Sequence, residues 1–175
     1  MNSLVSRPPK EIIHVLIPSQ GYFPNNNRIP LTLYKKAVHC MNVTIEAIKK
    51  HLEANHWINS WIDGIYDYHH YHSNTHECLV IIAGTCQIKI GEEEGAIYKV
   101  SQGDVIIFPA GVSHKNVASS ADFSCIGSYP TQKDYDLKYG KADEHPEVDE
   151  NIKMVQLPKC DPIYGEHGFL FDYWK

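Results

Sequence analysis

Short blocks of apolar residues, some continuous and some alternating with polar ones, run along most of the chain. Residues 11–17 (EIIHVLI) and 31–38 (LTLYKKAV) have the content of strands, and the turn-rich GYFPNNNRIP separates them. Between Asn42 and Asn55 the period changes. Ile45, Ile48 and Leu52 fall at helical spacing, Asn42 or Thr44 can cap the start, and Asn55 suits the left-handed position at the end. This predicts one amphipathic helix of about three turns. From Trp57 to Tyr129 the runs IYDYHHYH, ECLVIIA, CQIKI, AIYKV, DVIIF, HKNVA and FSCIGSY are interrupted every few residues by Gly, Asp, Asn, Ser or Pro. Many short strands at this spacing predict a sandwich or barrel, an all-β fold with one minor helix. Beyond Pro130 the segments DEHPEVDE and LPKCDP turn acidic and proline-containing, as in an extended tail.

A chain of 175 residues, 43% of them hydrophobic, can bury one good core and is short for two. The expected organisation is a single domain over 1–175. Strands and helix in 1–60 pack on a core barrel at 61–130, and 131–175 forms an irregular tail. The net charge of -5 and the presence of only two arginines, Arg7 and Arg28, leave no broad basic surface, so nucleic acid is not an expected partner. The first twenty residues lack a long apolar stretch with a small-residue cleavage site, and no window approaches the ~18 apolar residues of a membrane span. A soluble, cytoplasmic protein without membrane contact is expected. Five cysteines without a C-x-x-C pair read as free thiols.

The chemistry concentrates in GIYDYHHYHSNTHE, residues 64–77. Residues two apart on a strand share a face, so Tyr66, Tyr68, His70 and His72 would point one way and Asp67, His69 and Tyr71 the other. Two imidazoles on one face can hold one metal ion. A further ligand, Glu77, can arrive after a turn through Ser73, Asn74 and Thr75. His114, which follows GDVIIFPAGVS with the bend-forming Pro109 and Gly111, is the candidate fourth.

These two segments resemble the paired motifs of the cupin superfamily. Gly64, His70, His72, Glu77 and Gly84 match the first motif, a glycine, H-x-H, a glutamate and a glycine, in register. Gly103, Pro109, Gly111 and His114 match the second, but Ala118 stands where that motif ends in Asn, and Asn116 lies two residues early. The stretches FPNNNRIPL, PAGVSHKN and LPKCDPIYG, with Trp174 near the end, are similar to a group of short bacterial cupins.

The resemblance implies a jelly-roll β-barrel holding one divalent transition metal, Fe, Mn, Ni, Co or Zn, on His70, His72, Glu77 and His114. It also implies a homodimer and a small-molecule ligand or substrate. Two function classes follow: a metal-dependent enzyme such as an oxygenase or isomerase, or a non-catalytic metabolite binder or sensor. Catalytic residues are not assigned by the sequence. Tyr66 and Tyr68 are pocket candidates by parity, and Asn116 either lines the same cavity or satisfies backbone. His69 and His76, on the opposite parity or in the turn, read as surface or supporting groups, with His76 able to orient Glu77. Arg28 reads as solvated.

Overall fold

A computed structural model describes residues 5–41, 43–130 and 134–175. Nine strands, β1 (Glu11–Ile17), β2 (Asn26–Lys35), β3 (Ile58–Asp63), β4 (Glu77–Ala83), β5 (Thr85–Ile90), β6 (Ala96–Ser101), β7 (Val105–Phe108), β8 (His114–Ser119) and β9 (Ser124–Tyr129), are found among the described residues. They form two antiparallel sheets, six strands in the order β1-β2-β7-β4-β9-β3 and three in the order β6-β5-β8. The all-β jelly-roll arrangement expected from the motifs is present, but among the described residues no strand ladder joins the two sheets into a closed barrel. Pro109, which lacks an N–H, ends β7, and the chain changes sheets through short turns such as the single residue Gly84 between β4 and β5.

The two cores explain the sequence patterns. Leu31, Leu33, Leu79, Ile81, Ile106 and Phe108 project from one face of the larger sheet onto Cys86, Ile88, Ile90 and Val100 of the smaller one. On the opposite face, Tyr34, Val80, Val105, Ile107 and Ile126 meet Ile48 and Leu52 of helix α1 (Ile45–Ala54), together with Trp57, Leu170 and Trp174. Strand β4 is therefore covered on both sides, which is why ECLVIIA reads as a continuous apolar run. Strand β5 in the smaller sheet has one partly exposed side, and TCQIKI alternates.

Helix α1 starts where the pattern predicts. The Thr44 hydroxyl accepts from the Ala47 N–H at 3.2 Å, while the alternative cap Asn42 lies outside the described residues. Asn55 does not take the left-handed position: its φ is -93°, and the following His56 has φ 64°. The Asn55 side-chain amide instead donates to the Pro162 carbonyl at 2.9 Å, tying the helix end to the C-terminal segment. That segment carries two short helices, α2 (Glu147–Met154) and α3 (Leu170–Tyr173). No helix among the described residues is long and apolar enough to cross a membrane.

Candidate metal centre

The histidine-rich segment is not a strand. Between β3 and β4 it makes two isolated bridges, His70 to His114 and Tyr71 to Lys138. Its conformation is set by individual bonds. His70 and His114 exchange N–H···O=C bonds at 3.2 and 3.0 Å, and the Gly111 N–H donates to the His72 carbonyl at 2.8 Å. The two motifs are thus tied together through main chain. Gly111 has φ 93°, and a Cβ there would stand 2.5 Å from the Asn25 carbonyl oxygen, so this turn requires glycine. Asp136 grips the turn after His72: its carboxylate accepts from the Ser73 N–H at 2.7 Å and from the Ser73 hydroxyl.

His70, His72, Glu77 and His114 are all buried and line one cavity of about 270 Å³. Each of the three rings donates its Nδ1–H to a main-chain carbonyl: His70 to Tyr68 at 3.1 Å, His114 to Val112 at 3.2 Å, and His72 to Asp136. A carbonyl can only accept, so these bonds fix the proton on Nδ1 and leave Nε2 as the nitrogen available on each ring. The His114 ring also stacks on Phe108, centroids 4.1 Å apart. Glu77 Oε1 lies 3.4 Å from His72 Nε2 and accepts from the Tyr129 hydroxyl at 3.0 Å. Its Oε2 lies 3.4 Å from His114 Nε2 and has no hydrogen bond among the described residues.

Charge follows this geometry. Burial, reinforced by the neighbouring His114, lowers His70 to about 3, so it is neutral near neutral pH. Burial would lower His72 as well, but the Glu77 carboxylate and the bonds to Glu77 and Asp136 outweigh it and hold His72 above its ordinary value. Burial would raise Glu77, and the neighbouring His72 and His114 carry it well below the usual carboxylate range instead. Glu77 is thus the anionic centre of the set, with Nε2 of His72 and Nε2 of His114 each 3.4 Å from one of its oxygens. The four donors are not drawn together to mutual distances of 4.8 Å, a condition that among the described residues only His69, Glu92 and Glu93 meet.

The set nevertheless fits a divalent transition ion. Three imidazole nitrogens and a carboxylate are donors of the correct type, the rings are oriented by main-chain carbonyls as ligating histidines are, and a buried carboxylate oxygen is left without a hydrogen bond.

The remaining expectations are distributed differently. Tyr66 lines the cavity at its exposed edge. Tyr68 is outside it, stacked on Tyr66 with centroids 4.8 Å apart. Asn116 is also outside: its amide donates to the Ser119 hydroxyl at 3.1 Å, and its own N–H meets the Tyr66 carbonyl at 2.8 Å. Arg28 is exposed. Parity failed for Tyr68 because the segment is irregular, whereas Asn116 keeps the register of His114, opposite Ile88, and lies farther along β8, where its Oδ1 accepts from the Cys86 thiol at 3.4 Å.

The sequence reading missed Trp61, Tyr129 and Tyr135. Tyr129 lies between the Trp61 Nε1–H, from which it accepts at 2.8 Å, and Glu77, while Tyr135 stacks on it at 4.6 Å. Gly127 makes this possible, since a Cβ there would sit 2.1 Å from the Trp61 ring. Alternation along β9 places 125, 127 and 129 on one side, but its pairing with β3 and β4 had no local signal.

His76 is fully buried and supports the site from behind. Its Nδ1 accepts from the Ala110 N–H at 2.9 Å, so Nε2 carries the proton and donates to the Gln156 carbonyl at 3.2 Å. Burial lowers its pKa to about 4. The folded value is below the unfolded ~6.5, so the stabilisation is complete above pH ~6.5 and is lost as pH falls toward 4, by at most about 3 kcal/mol. Urea unfolding of chelator-treated protein from pH 7.5 to 4.5 should show this slope, and His76→Gln should flatten it. Parallel slopes for the two proteins would contradict the assignment.

The cupin domain family model matches residues 63–126, which contain both motifs. YjlB of Bacillus subtilis, an uncharacterised protein, is 39% identical over 157 residues, covering 90% of this chain and 93% of its own. The chain belongs to the cupin superfamily. Among solved structures, acireductone dioxygenase from Bacillus anthracis, with cadmium in its active centre, is 14% identical with a TM-score of 0.38, over 50% of this chain and 59% of that one. The epimerase RmlC from Legionella pneumophila, in complex with dTDP-4-keto-L-rhamnose, is 10% identical with a TM-score of 0.39, over 71% and 74%.

Proposed function

We propose that this cupin holds one divalent transition ion on His70, His72, Glu77 and His114 and converts a small molecule bound in the adjoining cavity, by oxygenase or isomerase chemistry. The observation that carries the reading is the shared orientation of three buried imidazoles, each anchored through Nδ1–H to main chain, around a buried carboxylate with one oxygen lacking a hydrogen bond. When bound, such an ion supplies Lewis acidity toward a carbonyl or hydroxyl oxygen or, if redox-active, access to dioxygen.

The chain's own groups limit what can bind. Trp61, Ile65 and Leu79 give the cavity an apolar wall, and Tyr66 and Tyr135 stand at its exposed side. Among the described residues no lysine or arginine lines it, and a compact molecule with carbonyl or hydroxyl oxygens fits these walls. Burial and then Glu77 raise the Tyr129 phenol, which stays protonated and holds Glu77 in place. Tyr135, raised by burial and by Tyr66, keeps a proton to donate to a bound ligand.

The test is incubation of metal-loaded protein with a metabolite extract, in air and under nitrogen, followed by mass spectrometry. Consumption only in air supports an oxygenase, and consumption in both supports an isomerase. Tyr135→Phe should slow turnover without loss of metal. Retention of a metabolite with none consumed would replace the enzyme reading by a non-catalytic binder.

A further inference from the structure

A second cluster lies outside the cavity, where the turn between β5 and β6 meets the residue before His70. One ligand atom each from His69, Glu92 and Glu93 lies within 4.8 Å of the others. Two carboxylates near a surface are common and by themselves mean little. His69 is different. Its side chain is only 8% exposed, and neither ring nitrogen, both inaccessible to water, makes a hydrogen bond to any of the described residues. Buried imidazoles nearly always find a partner, because leaving both nitrogens bare forfeits about 1–3 kcal/mol for each. Phe23 packs edge-on against the ring at 5.8 Å and offers no acceptor, while Nε2 points toward Glu93 Oε1 at 3.6 Å, beyond hydrogen-bond reach.

We propose that His69, Glu92 and Glu93 form a second divalent-cation site that takes a borderline transition ion such as Zn²⁺ or Co²⁺. An ion there would use the bare His69 nitrogen and clamp the turn carrying Glu92 and Glu93 to the segment carrying His70 and His72. One imidazole with two carboxylates selects such ions over Mg²⁺ or Ca²⁺, which prefer all-oxygen surroundings. Lys89 and Lys115 compete for it, holding Glu93 at 3.3 and 3.1 Å and, with the bonds they donate, lowering its pKa. The site is therefore weaker than a three-histidine centre, and it strengthens when those lysines are removed.

Chelator-stripped protein titrated with Co²⁺, followed by calorimetry and visible absorption, tests this. Wild type should take up two equivalents with distinct affinities. Glu92→Gln, a change on an accessible turn that leaves the core untouched, and His69→Ala should each lose the weaker one and keep the tighter. Glu77→Gln should do the reverse, which separates failure of this site from failure of the motif centre. Replacing both Lys89 and Lys115 by Met should tighten the weaker equivalent about tenfold. A wild type with no second equivalent, or a second equivalent unchanged in both Glu92→Gln and His69→Ala, would overturn the proposal.

Discussion

Glu77→Gln and His72→Ala are each expected to lower affinity for the motif-bound ion by at least ~100-fold, so that protein purified without added metal carries close to none where wild type carries about one per chain. Glu77 is the carboxylate on which the histidines converge, and the amide of glutamine replaces its charge with a dipole. Removing the His72 ring takes away one of three nitrogen donors and leaves Glu77 without its main counter-charge. Tyr129→Phe should weaken the same ion by roughly tenfold without abolishing binding, because the phenol only fixes one Glu77 oxygen.

The direction of the pH effect follows from His72. Glu77 holds His72 above its ordinary value, so an incoming ion competes with a proton for the ring. Affinity should fall as pH is lowered, and binding should release protons, measurable by calorimetry in buffers of different ionisation enthalpy. Metal content unchanged in both variants, or binding independent of pH between 6 and 8, would refute the ligand assignment.

Asp161→Ala is expected to be the most destabilising single change outside the cavity, by about 3–5 kcal/mol. The Asp161 carboxylate is fully buried and accepts four bonds: from the Tyr34 hydroxyl at 2.6 Å and from the N–H groups of Ile163, Tyr164 and Leu170 at 2.8, 3.0 and 3.1 Å. Alanine would strand all four donors in the core that joins the C-terminal segment to the larger sheet. The melting temperature should drop by about 10 °C, while the ligand set, on the other face of that sheet, keeps its ion. A loss below 1 kcal/mol would show that water replaces the carboxylate and that the segment is held mainly by Trp57 and Trp174.

The sequence and the structure agree where local pattern and fold share a cause. The period of Ile48 and Leu52 is the helix face that is buried, and the doubly apolar ECLVIIA is the strand covered on both sides. Pro109 and Gly111 mark the turn that carries His114 for reasons of φ and missing N–H, both properties of single residues. Spacing could name His70, His72, Glu77 and His114, but it could not show how they meet. The contacts that orient the rings come from main-chain carbonyls of Tyr68, Val112 and Asp136, and every residue type has a carbonyl. Tyr129 and Tyr135 reach the site through pairing and packing with no sequence signal near either motif. Strand parity would put His69 outside, but the irregular segment has no such parity and the ring is buried.

Anomalous diffraction from a crystal of the Co²⁺-loaded protein, recorded at the cobalt edge, addresses the motif centre most directly. The strongest peak should lie ~2.0–2.3 Å from Nε2 of His70, His72 and His114 and from a Glu77 oxygen. Density elsewhere with none among these four residues would contradict it.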